Sequence, residues 1–411
     1  MTKLIVDVEP GDVGFDADRL RWLDRHFEQY VASAKLPGFL LAVARGGQVC
    51  HVASGGHADV EDAAPVEHDT IFRVYSMTKP ITSVAALMLW EEGAFELKDP
   101  VSRFIPSFAD ARVFRSGSAV SPVTEPAVEP IRMWHLFTHT AGLTYGFHHV
   151  HPTDAIYRAS GWEWGSPRGL DLAGACDAWA AMPLVNQPGT AFNYSVATDV
   201  LGRVVEVLSG QTLEQFLDER ILGPLAMDDT GFFVPEDQRH RLASLYVPST
   251  RDHTARRMNR TEDVKDSTPT FLSGGGGLMS TAGDYLRFAD MLRREGEVDG
   301  VRLLSPRTVR YLRQNHLPGG VDLDAFGNRT FAETSLDGVG FGLGVSVVID
   351  PVKSKVPGSV GEFGWGGAAS TAFLVDPVED LVLLFLTQLL PSSTWPIRPQ
   401  LKQLVYQALV D

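Results

Sequence analysis

The chain has 411 residues, 44% hydrophobic and 21% charged, with a formal net charge of −15. This is the composition of a globular protein with a substantial core, and the acidic excess opposes binding to nucleic acid or to an anionic membrane surface. Two cysteines, Cys50 and Cys176, lie far apart, which excludes a disulfide framework and a cysteine-rich metal site.

The opening stretch, MTKLIVDVEPGDVGFDADRL, lacks the basic start and apolar core of a signal peptide. The longest apolar run, LVLLFLTQLL at 381–390, is too short to span a bilayer and reads as a buried strand. A cytoplasmic location is the expectation. From Asp16 to about Ala32, Leu20, Leu23, Phe27 and Val31 recur at helical spacing, with Asp16 placed to cap. Two β-rich runs then flank Gly46-Gly47, a two-residue hairpin signal. A short strand, Thr70 to Val74, leads into a helix running to about Glu92, with Gly93 as its left-handed cap.

The middle, roughly 100–335, alternates helices with long loops rich in Gly, Pro and Asp, and RSGSAVSPVTEPAVEP at 115–130 reads as loop. Val196 to Leu208 is helical, with Gly210 after it, and a second helix follows at about 212–221. Strands return in FGLGVSVVI, STAFLVDP and DLVLLFLTQ, and a helix at about 397–410 closes the chain. The pattern predicts a sheet domain from 1–99 and 336–411, a mainly helical insertion at 100–335, and an active site in the cleft between them.

Several catalytic patterns are absent: G-x-S-x-G, H-E-x-x-H, C-x-x-C and a P-loop. Gly274 to Gly277 could cradle a phosphate but lacks the strand–loop–helix context, so close backbone packing or a flexible loop is the better reading. His148, His149 and His151 have no second ligand cluster and read as solvated loop histidines. The sequence calls for no metal and no cofactor.

What remains is YSMTKP at 75–80. Ser76 and Lys79 are three apart where a helix begins, so they share a face. They could be a cap and a surface charge, or a nucleophile and its proton acceptor. Burial and the positive end of the helix would both push Lys79 toward neutrality.

At this point the chain resembles the serine β-lactamase and penicillin-binding-protein superfamily, in its class C-like branch, and within it the family VIII carboxylesterases. FRVYSMTKPITS, LFTHTAGL at 136–143, FNYSVATDVLG at 192–202, ILGPLAMDDTGF at 221–232, GGGGLMSTAGDYLRF at 274–288 and WGGAAST at 365–371 carry the resemblance in order along nearly the whole chain. It implies an α/β (α+β) β-lactamase-like fold, a mostly antiparallel sheet flanked by helices. It also implies Ser76 as acyl-forming nucleophile, Lys79 as its activator and Tyr194 as proton shuttle. The backbone N–H groups of Ser76 and Ala368 would form the oxyanion hole. Trp365, Gly366 and Gly367 would line the cleft wall, with Tyr75 and Tyr145 near substrate. His139 is assigned to shaping a loop under the site.

Two departures bear on specificity. The β-lactamase Tyr-x-Asn reads Tyr194-Ser195-Val196 here, and Lys-Thr-Gly reads Trp365-Gly366-Gly367. The cation that would pair with a β-lactam carboxylate is gone, which weakens recognition of anionic amides and favours neutral esters. The expectation is a carboxylesterase acting on small-molecule esters with short or medium acyl groups, with acyl transfer as a side activity. The competing readings are a β-lactamase, a D-aminopeptidase or amidase on the same residues, and a non-catalytic binding protein. The sequence leaves the oligomeric state open.

Overall fold

A computed structural model describes residues 4–163, 169–258, 269–327 and 336–411. Helix α1 spans Ala17–Ala32, and the Asp16 carboxylate accepts from the N–H groups of Asp18 and Arg19, which would otherwise be unpaired at the helix start. Strands β1 (Gly38–Arg45), β2 (Gln48–Asp59) and β3 (Ala64–Pro65) follow. The β1–β2 hairpin turns at Gly46 and Gly47, both with positive φ, 61° and 81°, as a type I′ turn requires. Helix α2 is Thr78–Glu91, α3 is Ala197–Ser209 and α4 is Ala282–Arg293. The chain then forms β4 (Val339–Phe341), β5 (Ser346–Val348), β6 (Phe363–Gly366), β7 (Ala372–Asp376), β8 (Leu381–Leu386) and α5 (Ile397–Tyr406).

The strands make one eight-stranded sheet in the order β4-β5-β6-β7-β8-β1-β2-β3, antiparallel throughout. β1 and β8, from opposite ends of the chain, pair from Leu40↔Leu386 to Arg45↔Leu381. Both strands are apolar on both faces because both faces are covered. Phe39, Leu41, Val43, Leu383 and Phe385 pack with Leu23 and Phe27 of α1 and with Leu401 and Val405 of α5. Leu40, Ala42, Val382 and Leu384 join the larger core that contains α2, α3 and α4.

Four readings of the sequence change in detail. The 115–130 stretch is not all loop: Arg112–Gly117 pairs with Pro122–Pro126 as a hairpin. It is anchored by Phe114 N–H to Leu184 O and Leu184 N–H to Arg112 O, a tertiary contact that local composition does not announce. FGLGVSVVI contains two strand ends, because the chain turns at Gly342–Gly344 between β4 and β5. The 212–221 helix is Leu213–Leu217 running into a π turn, Asp218–Leu222. Before Ser76 only Phe72–Arg73 is strand, paired with Met279–Ser280. Among the described residues no helix is long and apolar enough to cross a membrane.

Candidate active site

Val74 N–H donates to Leu278 O, and the chain then tightens into a 3₁₀ turn, Tyr75–Met77, with Tyr75 at φ 45°. A bulky residue held at positive φ is a costly conformation that the surroundings must enforce. α2 starts directly afterwards. Its N-cap is Met77, with no side-chain capping bond, so Ser76 is not a cap. α2 is buried without a break from Thr78 to Leu89, and Lys79 is 1% exposed, so Lys79 is not a surface charge. Its Nζ donates to Ser76 Oγ at 3.2 Å, to Tyr145 Oη at 3.1 Å and to Gly275 O at 2.6 Å. The Ser76 contact is within proton-transfer reach.

The glycine run is part of this arrangement. Gly275 N–H and Ser273 Oγ both donate to Asp199 Oδ1, at 3.0 and 2.6 Å, and Thr82 Oγ1 donates to Gly274 O at 2.8 Å. A Cβ on Gly275 would lie 2.5 Å from Asp199 Oδ2, which explains the glycine. Burial raises the Asp199 carboxyl above its ordinary value, and the positive charge of Lys79 acts against that rise. Asp199 thus anchors the residue, Gly275, whose carbonyl holds Lys79.

Tyr194 precedes α3, and its ring faces Lys79 Nζ at 4.5 Å. Asn193 anchors it, with N–H to His139 O and Nδ2 to Leu143 O at 2.7 Å. His148 is buried, not solvated, and its Nε2 donates to Tyr194 O at 2.7 Å. The other two histidines of that run serve elsewhere: His151 caps Pro152–Ala159, and His149 meets Glu163 at 3.5 Å. Burial lowers the pKa of both His139 and His148, and nearby Lys79 lowers His139 further, so both rings are neutral at pH 7. The His139 ring packs against Tyr194, tilted by 50° with ring centres 4.8 Å apart, and its Nδ1 meets Ser195 Oγ at 3.3 Å. Burial also raises the Tyr145 hydroxyl well above its ordinary value, which keeps it a phenol.

Trp365, on β6, donates from Nε1 to Tyr194 Oη at 3.2 Å and packs against Phe341 with ring centres 5.2 Å apart. Gly367 lies so close to the nucleophile strand that a Cβ there would stand 2.4 Å from Val74 O. Tyr75 and Ala368 pack on one apolar cluster, with Leu245, Ala369 and Leu390. Ser76, Lys79, Tyr194, Tyr145, Tyr75 and the Trp365–Ala368 segment therefore converge. Val196 differs: it forms the N-cap of α3 and is 4% exposed within the main core. A cavity of about 170 Å³ borders Trp365 and Gly366 on the α5 side of the sheet, with Arg398 and Lys402 at its wall, and it does not include Ser76.

Sequence reasoning missed Asp199, Gly275 O and the bond from His148. The one available signal was an acidic residue inside an otherwise apolar helical stripe at Asp199.

The β-lactamase family model matches residues 23–407, and the chain belongs to the β-lactamase family. It is 39% identical to protein Rv1367c of Mycobacterium tuberculosis, over 87% of each chain. It is 30% identical to esterase EstB of Burkholderia gladioli, over 93% of this chain and 94% of the other. Among solved structures it is similar to EstCE1, described as a hydrolase with promiscuous acyltransferase activity. That match has a TM-score of 0.78 and 27% identity, over 95% of this chain and 98% of the other.

Proposed function

We propose that the chain is a serine carboxylesterase of the family VIII type, hydrolysing short- to medium-chain acyl esters through an acyl-enzyme on Ser76. The observation that carries this reading is the buried Lys79 Nζ, 3.2 Å from Ser76 Oγ and facing the Tyr194 ring. In the proposed cycle Ser76 Oγ attacks the ester carbonyl as its proton passes to the coupled Lys79–Tyr194 pair, which enters the cycle one proton short. The N–H groups of Ser76 and Ala368 hold the oxyanion. The carbon–oxygen bond to the alcohol breaks, and the alcohol leaves with the proton. Water then attacks the acyl carbon as it gives a proton to the same pair, the bond from that carbon to Ser76 Oγ breaks, the proton returns to Ser76 Oγ and the carboxylic acid leaves.

Trp365, Gly366 and Gly367 form the wall where a β-lactamase carries its cation, so the substrate is a neutral ester. Tyr75 and Tyr145 flank it, and Val196 bears on it only through α3. The likeness to EstB and EstCE1 supports the esterase reading, and the description of EstCE1 supports acyl transfer to an alcohol as a side reaction. We further propose the division into 1–99 with 336–411 and an inserted 100–335, with the site between them. A cytoplasmic location is supported by two free, buried cysteines.

The test is a panel of p-nitrophenyl acyl esters beside a chromogenic cephalosporin, with Ser76→Ala as control. Ester hydrolysis is expected to dominate and to vanish in Ser76→Ala. Activity surviving that substitution would overturn the mechanism, and faster cephalosporin turnover would make the protein a β-lactamase. A new ester formed on adding an alcohol acceptor would establish transfer.

A further inference from the structure

We propose that Arg398 is the positioning residue of the oxyanion hole, acting through the peptide that links Gly367 to Ala368. Its Nη2 donates to Gly367 O and to Thr371 O, each at 3.1 Å. The same turn is closed by Ser370 N–H to Gly367 O and by Gly367 N–H to Thr371 O. The carbonyl of Gly367 and the N–H of Ala368 belong to one planar trans unit, so they point in opposite directions. Holding the carbonyl toward α5 aims the N–H of Ala368 away from α5. The site side of this turn lies in that direction, since Gly367 abuts Val74 and Ala368 shares an apolar cluster with Tyr75. A cationic donor on the carbonyl also polarises the peptide and strengthens its N–H as a donor.

Two further observations support the assignment. Arg398 is the second residue of α5, where a cation opposes the helix dipole, so its place is not explained by helix stability. A Cβ on Gly366 would lie 2.1 to 2.5 Å from Nη2, Cζ and Nε of Arg398. The two glycines of the Trp-Gly-Gly segment thus serve different partners: Gly366 admits the guanidinium and Gly367 admits Val74.

The proposal rests on the reading of Ser76 as nucleophile and Ala368 N–H as oxyanion donor, so the experiment separates the two. Labelling of Ser76 by a fluorophosphonate, absent in Ser76→Ala, tests the underlying reading alone. With labelling established, kcat and KM on p-nitrophenyl butyrate are measured for Arg398→Gln, Arg398→Lys and Gly366→Ala, with binding of a boronic acid that mimics the tetrahedral adduct. Arg398→Gln and Gly366→Ala should each lower kcat about ten- to a hundredfold with KM within about twofold. Boronate affinity should fall in step, and Arg398→Lys should restore part of both. A raised KM at unchanged kcat would place Arg398 against substrate and overturn the proposal. So would full boronate affinity in Gly366→Ala, which also decides the matter if Arg398→Gln fails to fold.

Discussion

Replacing Tyr194 by Phe and, separately, Tyr145 by Phe removes one hydroxyl from each of the two tyrosines whose rings lie against Lys79. The two losses differ in kind. Tyr145→Phe deletes one of three acceptors on Nζ and leaves Ser76 Oγ and the 2.6 Å bond to Gly275 O. A hydrogen bond to a charged donor is worth about 1.5–3 kcal/mol. Two acceptors remain on Nζ, so the net cost should be about 1 kcal/mol, roughly fivefold in kcat/KM. Tyr194→Phe keeps the ring that faces Lys79 at 4.5 Å and its packing against the His139 ring, so the fold should hold. It removes the group assigned to proton transfer, for a loss of about a hundred- to ten-thousandfold in kcat. Steady-state and burst kinetics on p-nitrophenyl butyrate, with thermal midpoints for both variants, give the comparison. If Tyr145→Phe costs more kcat than Tyr194→Phe, Tyr145 is the shuttle and the assignment is refuted.

Trp365→Phe keeps an aromatic ring between Tyr194 and Phe341 and deletes the 3.2 Å bond to Tyr194 Oη. A fall of roughly fivefold in kcat/KM is expected, from about 1 kcal/mol, and unchanged kinetics would show that the indole N–H does not orient the hydroxyl. Stability should also fall on mild acidification. Burial lowers His135 to about 4, and it lowers His139 and His148 as well. Each of these histidines takes up a proton more readily when unfolded. The stability they contribute is therefore complete above the unfolded value of about 6.5 and is lost below it, at up to about 1.4 kcal/mol per pH unit for each ring. Asp199 and Glu362, raised by burial, act in the opposite sense. Urea midpoints should drop between pH 7.5 and 5, and a flat profile would contradict this account.

The elements legible in the sequence are those whose signals are local. Asp16 announces α1, Gly46-Gly47 the hairpin, and Gly210, at φ 73°, the end of α3. The Arg112–Gly117 hairpin arm and the β4–β5 turn were not legible, because distant contacts decide them. Leu184 anchors the first, and the second passes so close to α2 that a Cβ on Gly344 would lie 2.0 Å from Ser83 Oγ. The site divides in the same way. Motif order pointed to Ser76, Lys79, Tyr194 and the Trp-Gly-Gly segment. Asp199, Gly275 O, His148 and Arg398 act through backbone groups of other segments, and a backbone carbonyl leaves no trace in residue identity.

The pairing of β1 with β8 bears on how the protein is made. As the ribosome extrudes the chain, β1 meets β2 almost at once, but its other edge waits for Leu381–Leu386. Until then an apolar strand carries unpaired backbone groups open to other chains, and pairing this non-local is slow to form. A polypeptide halted before residue 381 would already contain Ser76, Lys79 and Tyr194 and yet lack the strand that joins the two halves of the sheet. Catalytic competence thus waits on the emergence of Leu381–Leu386, which makes this seam the step at which chaperone dependence should be greatest.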